Sequence, residues 1–291
     1  MARRRPSVVH GVVVVDKAAG VTSHDVVDQL RRRFGERRVG HSGTLDPPAT
    51  GVLVCALGRA TRLLRFVTDL PKSYSAEIVL GVATTTLDDT GEVTGRWDMG
   101  SVDAGAVQAA AAGLTGDILQ VPPMVSAVRV GGTRLHELAR AGTTVERQPR
   151  PVTVYGFDVH PSPDSSVWRA EVRCGSGTYV RSLAADLGER LGGGAHLRAL
   201  RRTAIGSFTE ADAAPVAEAA LLDVAAAVRD LPAATVDAAT ASRVGNGARL
   251  DGALAPEGAS LCAMFGPDGL LAVYRATCEH LEPVVVLAGT G

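Results

Sequence analysis

The chain has 291 residues, 46% of them hydrophobic and 21% charged, enough for one large domain and a smaller one. A formal net charge of −1 argues against a uniformly basic nucleic-acid binder, and four scattered cysteines with no C-x-x-C pair (Cys55, Cys174, Cys262, Cys278) argue against a zinc site or a disulfide framework. No apolar run approaches the length of a membrane helix, and no signal-peptide core follows Arg3-Arg4-Arg5, so a cytoplasmic protein is expected.

Residues 12–15 are a short β-branched run and predict a central strand. Ser23 is placed to cap a helix with Val26, Val27, Leu30 and Phe34 on one face and Gly35 as its stop. Residues 40–51, reading GHSGTLDPPATG, pack a carboxylate, an imidazole and hydroxyls into one Gly- and Pro-punctuated loop. The apolar run 52–57 follows at once as a buried strand, which would fix what that loop presents. From composition alone, Asp46 reads first as the acceptor of a structural Asx turn, since most Asp-Pro turns are structural.

Residues 74–80 alternate as a half-buried strand, 88–91 (DDTG) signal a turn, and 107–114 are Ala-rich and helical. Residues 152–159 and 168–174 read as strands joined by a Pro-Ser-Asp loop. Residues 179–191 carry Leu183, Ala184, Leu187 and Leu191 at helical spacing, ended by Gly192-Gly193-Gly194. After Phe208 an Ala-rich helical stretch is expected to about Asp230, then a boundary at Leu231-Pro232. Short strands are expected at 261–265, 271–274 and 284–287. Mixed strands and helices with mostly short connections predict an α+β domain on a mixed, largely antiparallel sheet. Cys55 and Cys174 fall in apolar segments as reduced core residues.

The near-neutral net charge conceals an uneven distribution. Residues 1–65 carry twelve Lys/Arg against five Asp/Glu, and 169–206 carry seven against three; 207–291 carry four against eleven. A basic portion joined to an acidic tail is compatible with an RNA-binding surface. Residues 122–150 hold Arg129, Arg134, Arg140, Arg147 and Arg150 among glycines with modest apolar content, and are expected to protrude.

The loop at 40–51 resembles the GH[TS]G[AT]LDP signature of the TruB family, bacterial pseudouridine synthases that modify uridine 55 in the T-loop of tRNA. Four further blocks occur in family order. Residues 11–23 resemble the opening G-x-x-x-x-D-K-P-x-G-x-[TS]-S, with Ala18 in place of the usual Pro. Lys72-Ser73-Tyr74, residues 174–181 (CGSGTYVR), and GAHL at 194–197 leading to Leu200-Arg201-Arg202 complete the set. The resemblance implies a pseudouridine-synthase catalytic domain over 1–231, with a T-arm-binding insertion at about 122–150, and a small PUA-like β domain over 232–291.

Pseudouridine formation breaks the N1–C1′ bond and makes a C5–C1′ bond with the same base, so it needs no redox change, metal or cofactor. Carboxylates suit glycosidic carbons of oxocarbenium character, and the resemblance gives Asp46 the nucleophile's role. Attack at C1′, addition at C6 and initial abstraction of a sugar proton all stay open. Arg181 is the implied partner holding Asp46 ionised and oriented. Tyr74 is the implied stacking residue and handler of the C5 proton, with stacking worth about 1–3 kcal/mol per base. His41 is the implied wedge that replaces the flipped base, Leu200 an apolar wall, and Tyr179 a lining residue. Lys17, Arg201, Arg202 and the cluster 31–33 are candidate phosphate contacts. Asp88 and Asp89 resemble a substrate-contacting loop of the family and equally read as a simple turn.

The implied partner is the tRNA T-arm, bound by a monomer with no membrane and no obligatory protein partner. Two alternatives remain: an RNA-binding or tRNA-folding module in which Asp46 is structural, and the related guide-dependent enzyme of archaea and eukaryotes. The basic insertion favours the stand-alone form over the latter.

Overall fold

The computed structural model describes residues 7–126, 129–130, 132–135, 143 and 145–287. Two compact units make up the chain: Met1–Asp46, Val52–Thr68 and Gly206–Gly291 form one, and Pro47–Gly51 with Asp69–Ile205 form the other. In chain order the first elements are β1 (Gly11–Lys17), α1 (Ser23–Phe34), β2 (Val39–His41), β3 (Thr50–Leu57) and α2 (Leu64–Thr68). Then come β4 (Lys72–Leu80), β5 (Val82–Thr84), β6 (Val93–Arg96), α3 (Ala104–Ala112) and β7 (Gly116–Gln120). A short hairpin, β8 (Arg129–Val130) and β9 (Thr133–Arg134), precedes β10 (Arg150–Pro161), β11 (Val167–Cys174), α4 (Val180–Arg190) and β12 (Ala195–Ile205). The last elements are β13 (Phe208–Thr209), β14 (Ala233–Thr235), α5 (Ala238–Gly245), β15 (Leu250–Asp251), β16 (Leu261–Gly266), β17 (Gly269–Ala276) and β18 (His280–Val286).

In the first unit, β1 lies beside β3 and β2 pairs antiparallel with β3, placing His41 opposite Cys55. α1 buries Val26, Val27 and Leu30 against Val13, Val15, Leu53, Cys55 and Leu57, the apolar stripe that its spacing predicts. Its N-cap is Thr22, one residue before the expected Ser23. Thr22 and Asp25 form a reciprocal capping box, while Gly35 closes the helix at φ 62°. Ser23 is instead the first helical residue and is buried. A second sheet in this unit runs β14-β16-β17-β18-β15, parallel only between β14 and β16. Its core gathers Val236, Val244, Cys262, Met264, Tyr274 and Leu281.

The expected Ala-rich helix after Phe208 does not form. The stretch contains two short 3-10 turns, Glu210–Asp212 and Val224–Val228, and between them it lies along β1. Val12 exchanges both backbone hydrogen bonds with Leu222, and Asp16 N–H donates to Ala214 O. Pro215 lacks the N–H an interior helical residue would use, and the buried edge of β1 offers backbone partners that outweigh alanine's helix propensity.

In the second unit the strand order is β12-β4-β11-β10-β7, with every adjacent pair antiparallel. Thr50 and Gly51 add a parallel pairing to Arg201 and Arg202, so the sheet is mixed and largely antiparallel as expected. The strands at 150–161 and 167–174 and the helix at 180–190 agree with their sequence patterns. The long strand β12 was not foreseen. Its exposed and half-buried Arg198, Arg201 and Thr203 obscure the alternation that marks a strand. Of the basic insertion, Arg147 donates to Pro122 O at 2.9 Å. Arg140, Gly131 and Gly142 lie outside the described residues.

Candidate active site

The loop that carries Asp46 is set by its flanks in the first unit. Ser42 N–H donates to Val54 O at 3.0 Å, tying the turn after β2 to β3. Ser23 then holds both backbone groups of Leu45: its Oγ accepts from Leu45 N–H at 2.9 Å and donates to Leu45 O at 3.1 Å. The residue immediately before Asp46 is therefore clasped from the first turn of α1, a role the expected helix cap did not anticipate. Asp46 itself is half-buried. His41, also half-buried, accepts from Gly43 N–H at Nδ1, and its ring stands edge-on to His24 with centroids 5.6 Å apart.

Lys17, a candidate phosphate contact, is the last residue of β1. It is 0% exposed, and its ammonium donates to Ala18 O at 2.9 Å and Val21 O at 2.7 Å, bracing the turn into α1. Desolvation forces a buried ammonium to find such acceptors, so this cation is not presented at the surface. Among the expected basic cluster, Arg33 donates to Val216 O and Ala219 O, and Arg31 pairs with Asp28. Arg31 and Arg32 are exposed at the end of α1, where cations also complement the helix dipole.

In the second unit the sheet register gathers three expected site residues on one face. Tyr74 in β4 stands opposite Arg202 in β12 and Val172 in β11, and Leu200 stands opposite Ala76, two residues along the same face. Tyr74 is buried and Leu200 half-buried. Of the two candidate phosphate contacts in β12, Arg202 is 1% exposed, and its half-buried neighbour Arg201 is the more accessible. Lys72, two residues before Tyr74, is also buried and donates to Leu70 O at 2.7 Å. Burial first, and then the charge of Arg202, push its ammonium down to about 8.

Arg181 lies in the first turn of α4 and is 3% exposed. A cation there faces the positive end of the helix dipole as well as desolvation, so its partners must offset both. Its Nη1 donates to Thr86 O at 2.9 Å and Nη2 to Val125 O at 2.8 Å, while Nε stands 3.8 Å from Asp88 Oδ2. The opposite oxygen of Asp88 accepts from Thr86 Oγ1, Thr90 N–H and Thr90 Oγ1. Tyr179, the half-buried N-cap residue of α4, is held by Gln120, whose side-chain amide accepts from Tyr179 N–H and donates to Tyr179 O. Gln120 is 2% exposed and was missed at the sequence level, since a Gln at the end of an edge strand carries no local signal. Among the described residues, no three His, Cys, Asp or Glu side chains gather into a group that could hold a metal.

The family model described as the TruB family pseudouridylate synthase N-terminal domain matches residues 31–180. The chain belongs to the TruB family. Consistent with that membership, the model of the tRNA pseudouridylate synthase B C-terminal domain matches residues 181–252. This TruB-family chain is 48% identical to the tRNA pseudouridine synthase B of Thermobifida fusca, over 96% of the chain and 99% of the relative. It is 44% identical to the protein of the same name from an Arthrobacter species, over 96% of each. Among solved structures, a Cbf5-Nop10-Gar1 complex contains a chain 26% identical with a TM-score of 0.71, matched over 94% of this chain and 83% of that one. As a member of this family the chain is a pseudouridine synthase, an isomerase, and its α+β architecture is that of the family.

Proposed function

We propose that the chain isomerises uridine 55 in the T-loop of tRNA to pseudouridine, as a cytoplasmic monomer that needs no guide RNA and no cofactor. The tRNA substrate comes from the relatives named tRNA pseudouridine synthase B, which align along nearly their whole length. The observation that carries the catalytic reading is the anchoring of Asp46: Ser23 fixes both backbone groups of the preceding residue, a degree of control that an ordinary Asx turn does not need. Asp46 is the nucleophile toward the uridine, and Arg181 supplies a cation to the same reaction. Tyr74 stacks on the uracil and serves the C5 proton, with Leu200 as a wall on the same sheet face and Tyr179 lining the site.

His41 fills the space left by the extruded base. The exposed Arg31 and Arg32 and the half-buried Arg201 contact phosphates, which positions the RNA without reading its sequence. Residues 1–231 form the catalytic domain, with a T-arm-binding insertion at about 122–150, and 232–291 form a PUA-like domain. The new C5–C1′ bond displaces the hydrogen at C5, so a transcript labelled with tritium at C5 of uridine reports turnover directly. Release from unmodified tRNA, and none from a transcript with cytidine at position 55, is expected. Equal release from both would reject the site assignment.

A further inference from the structure

The grip on Arg181 depends on a loop that would not hold its shape alone. Thr86 O and the Asp88 carboxylate both come from the turn between β5 and β6, and Leu87 between them sits at φ 62°, a left-handed conformation that costs a bulky side chain energy. That turn is stitched to the start of β12 by Leu197 N–H donating to Leu87 O at 3.0 Å and Asp89 N–H donating to Leu197 O at 3.2 Å. The adjacent side chain, His196, is 5% exposed and completes the seam. Its Nδ1 lies 2.8 Å from Val82 O and its Nε2 2.7 Å from Asp89 Oδ1. Each ring nitrogen thus faces one oxygen acceptor, the Val82 carbonyl on one side and the Asp89 carboxylate on the other.

We infer that His196 is a positioning residue for the isomerisation: bridging Val82 and Asp89, it locks the 84–91 turn and so aims the Arg181 guanidinium. The inference rests on Arg181 serving the active site as proposed above. His196 touches no reacting atom, and its effect passes through Thr86 and Asp88. The ring spans from the strand that begins the turn to the residue after Asp88. Loss of either contact frees the strained turn to relax and the guanidinium to follow it.

The test is single-turnover pseudouridine formation on unmodified tRNA transcript, with tRNA affinity measured separately, for wild type, His196→Gln and the half-exposed partner change Asp89→Ala. Both variants are expected to lose roughly tenfold or more in rate while tRNA affinity stays within about twofold. In an Arg181→Ala background, His196→Gln should lower the residual rate no further, because its action runs through that side chain. A merely structural role would instead lower the melting temperature and act additively. Wild-type rates in a folded His196→Gln or Asp89→Ala enzyme, or full additivity with Arg181→Ala, would overturn the inference. An inactive wild-type protein would overturn the functional reading on which it rests.

Discussion

Arg181 Nε and Asp88 Oδ2 stand 3.8 Å apart, one on the first turn of a helix and the other on a turn whose backbone also accepts from the same guanidinium. The separation is an ion pair without a direct hydrogen bond, so Asp88 contributes charge while Thr86 O and Val125 O supply the directional contacts. Asp88→Ala removes that charge from beside a buried cation and is expected to slow single-turnover chemistry by roughly 10- to 100-fold. Affinity for tRNA should stay within about twofold. Equilibrium binding alongside rapid-quench kinetics checks this, and weakened binding at an unchanged rate would contradict it.

Gly51 ends the signature loop at φ 100°, and a Cβ built on it would fall 2.2 Å from Arg202 O. Gly51→Ala therefore combines a disfavoured backbone conformation with a clash against the strand it pairs with. A loss of about 3 kcal/mol or more in urea unfolding, or failure to accumulate as soluble protein, is expected.

Thr22→Ala removes the hydroxyl that accepts from Asp25 N–H and donates to the Asp25 carboxylate, leaving only the Thr22 N–H half of the capping box at the start of α1, the helix that supplies Ser23 to the Asp46 loop. A loss of about 1 kcal/mol is expected, with Thr22→Ser restoring most of it. Chemical denaturation of the three proteins measures the difference.

Burial, reinforced by the nearby charge of Glu189, pushes the Asp186 carboxyl up from 3.8 to about 6. Between those values the folded protein holds a proton that the unfolded chain has released, so this group's contribution to stability falls as pH rises from about 4 to 6. Above about 6 both states are ionised and the folded state bears the full cost of burying the charge. Asp186→Asn should therefore raise stability by about 1–2 kcal/mol at pH 7–8, and the gain should vanish near pH 4. Melting curves across that range decide it; a gain that is constant with pH would contradict the assignment.

The elements with a strong period were readable from the residues: the valines of β1, the stripe of α1 and the alternation of β4 all occur where expected. The failures share a cause in tertiary partners. Alanines at 211–227 favour a helix locally, but the open edge of β1 takes their backbone groups. Ser23 looks like a cap because sequence cannot show that Leu45, 22 residues away, needs a hydroxyl. The burial of Lys17 and Arg202 is likewise set by tertiary packing, and nothing local in the sequence reveals it. Gln120 acts through Tyr179, 59 positions away, and His196 through Val82 and Asp89, 114 and 107 positions away, distances that no spacing rule reaches.

The central claim is that Asp46 carries the chemistry of uridine isomerisation in tRNA. Unmodified tRNA transcript incubated with wild type and with Asp46→Asn, followed by position-by-position mapping of pseudouridine, tests it most directly. A single pseudouridine at position 55 with wild type, and none with Asp46→Asn at unchanged tRNA affinity, is the expected result. Pseudouridine formed equally by both proteins, or by neither, would contradict it.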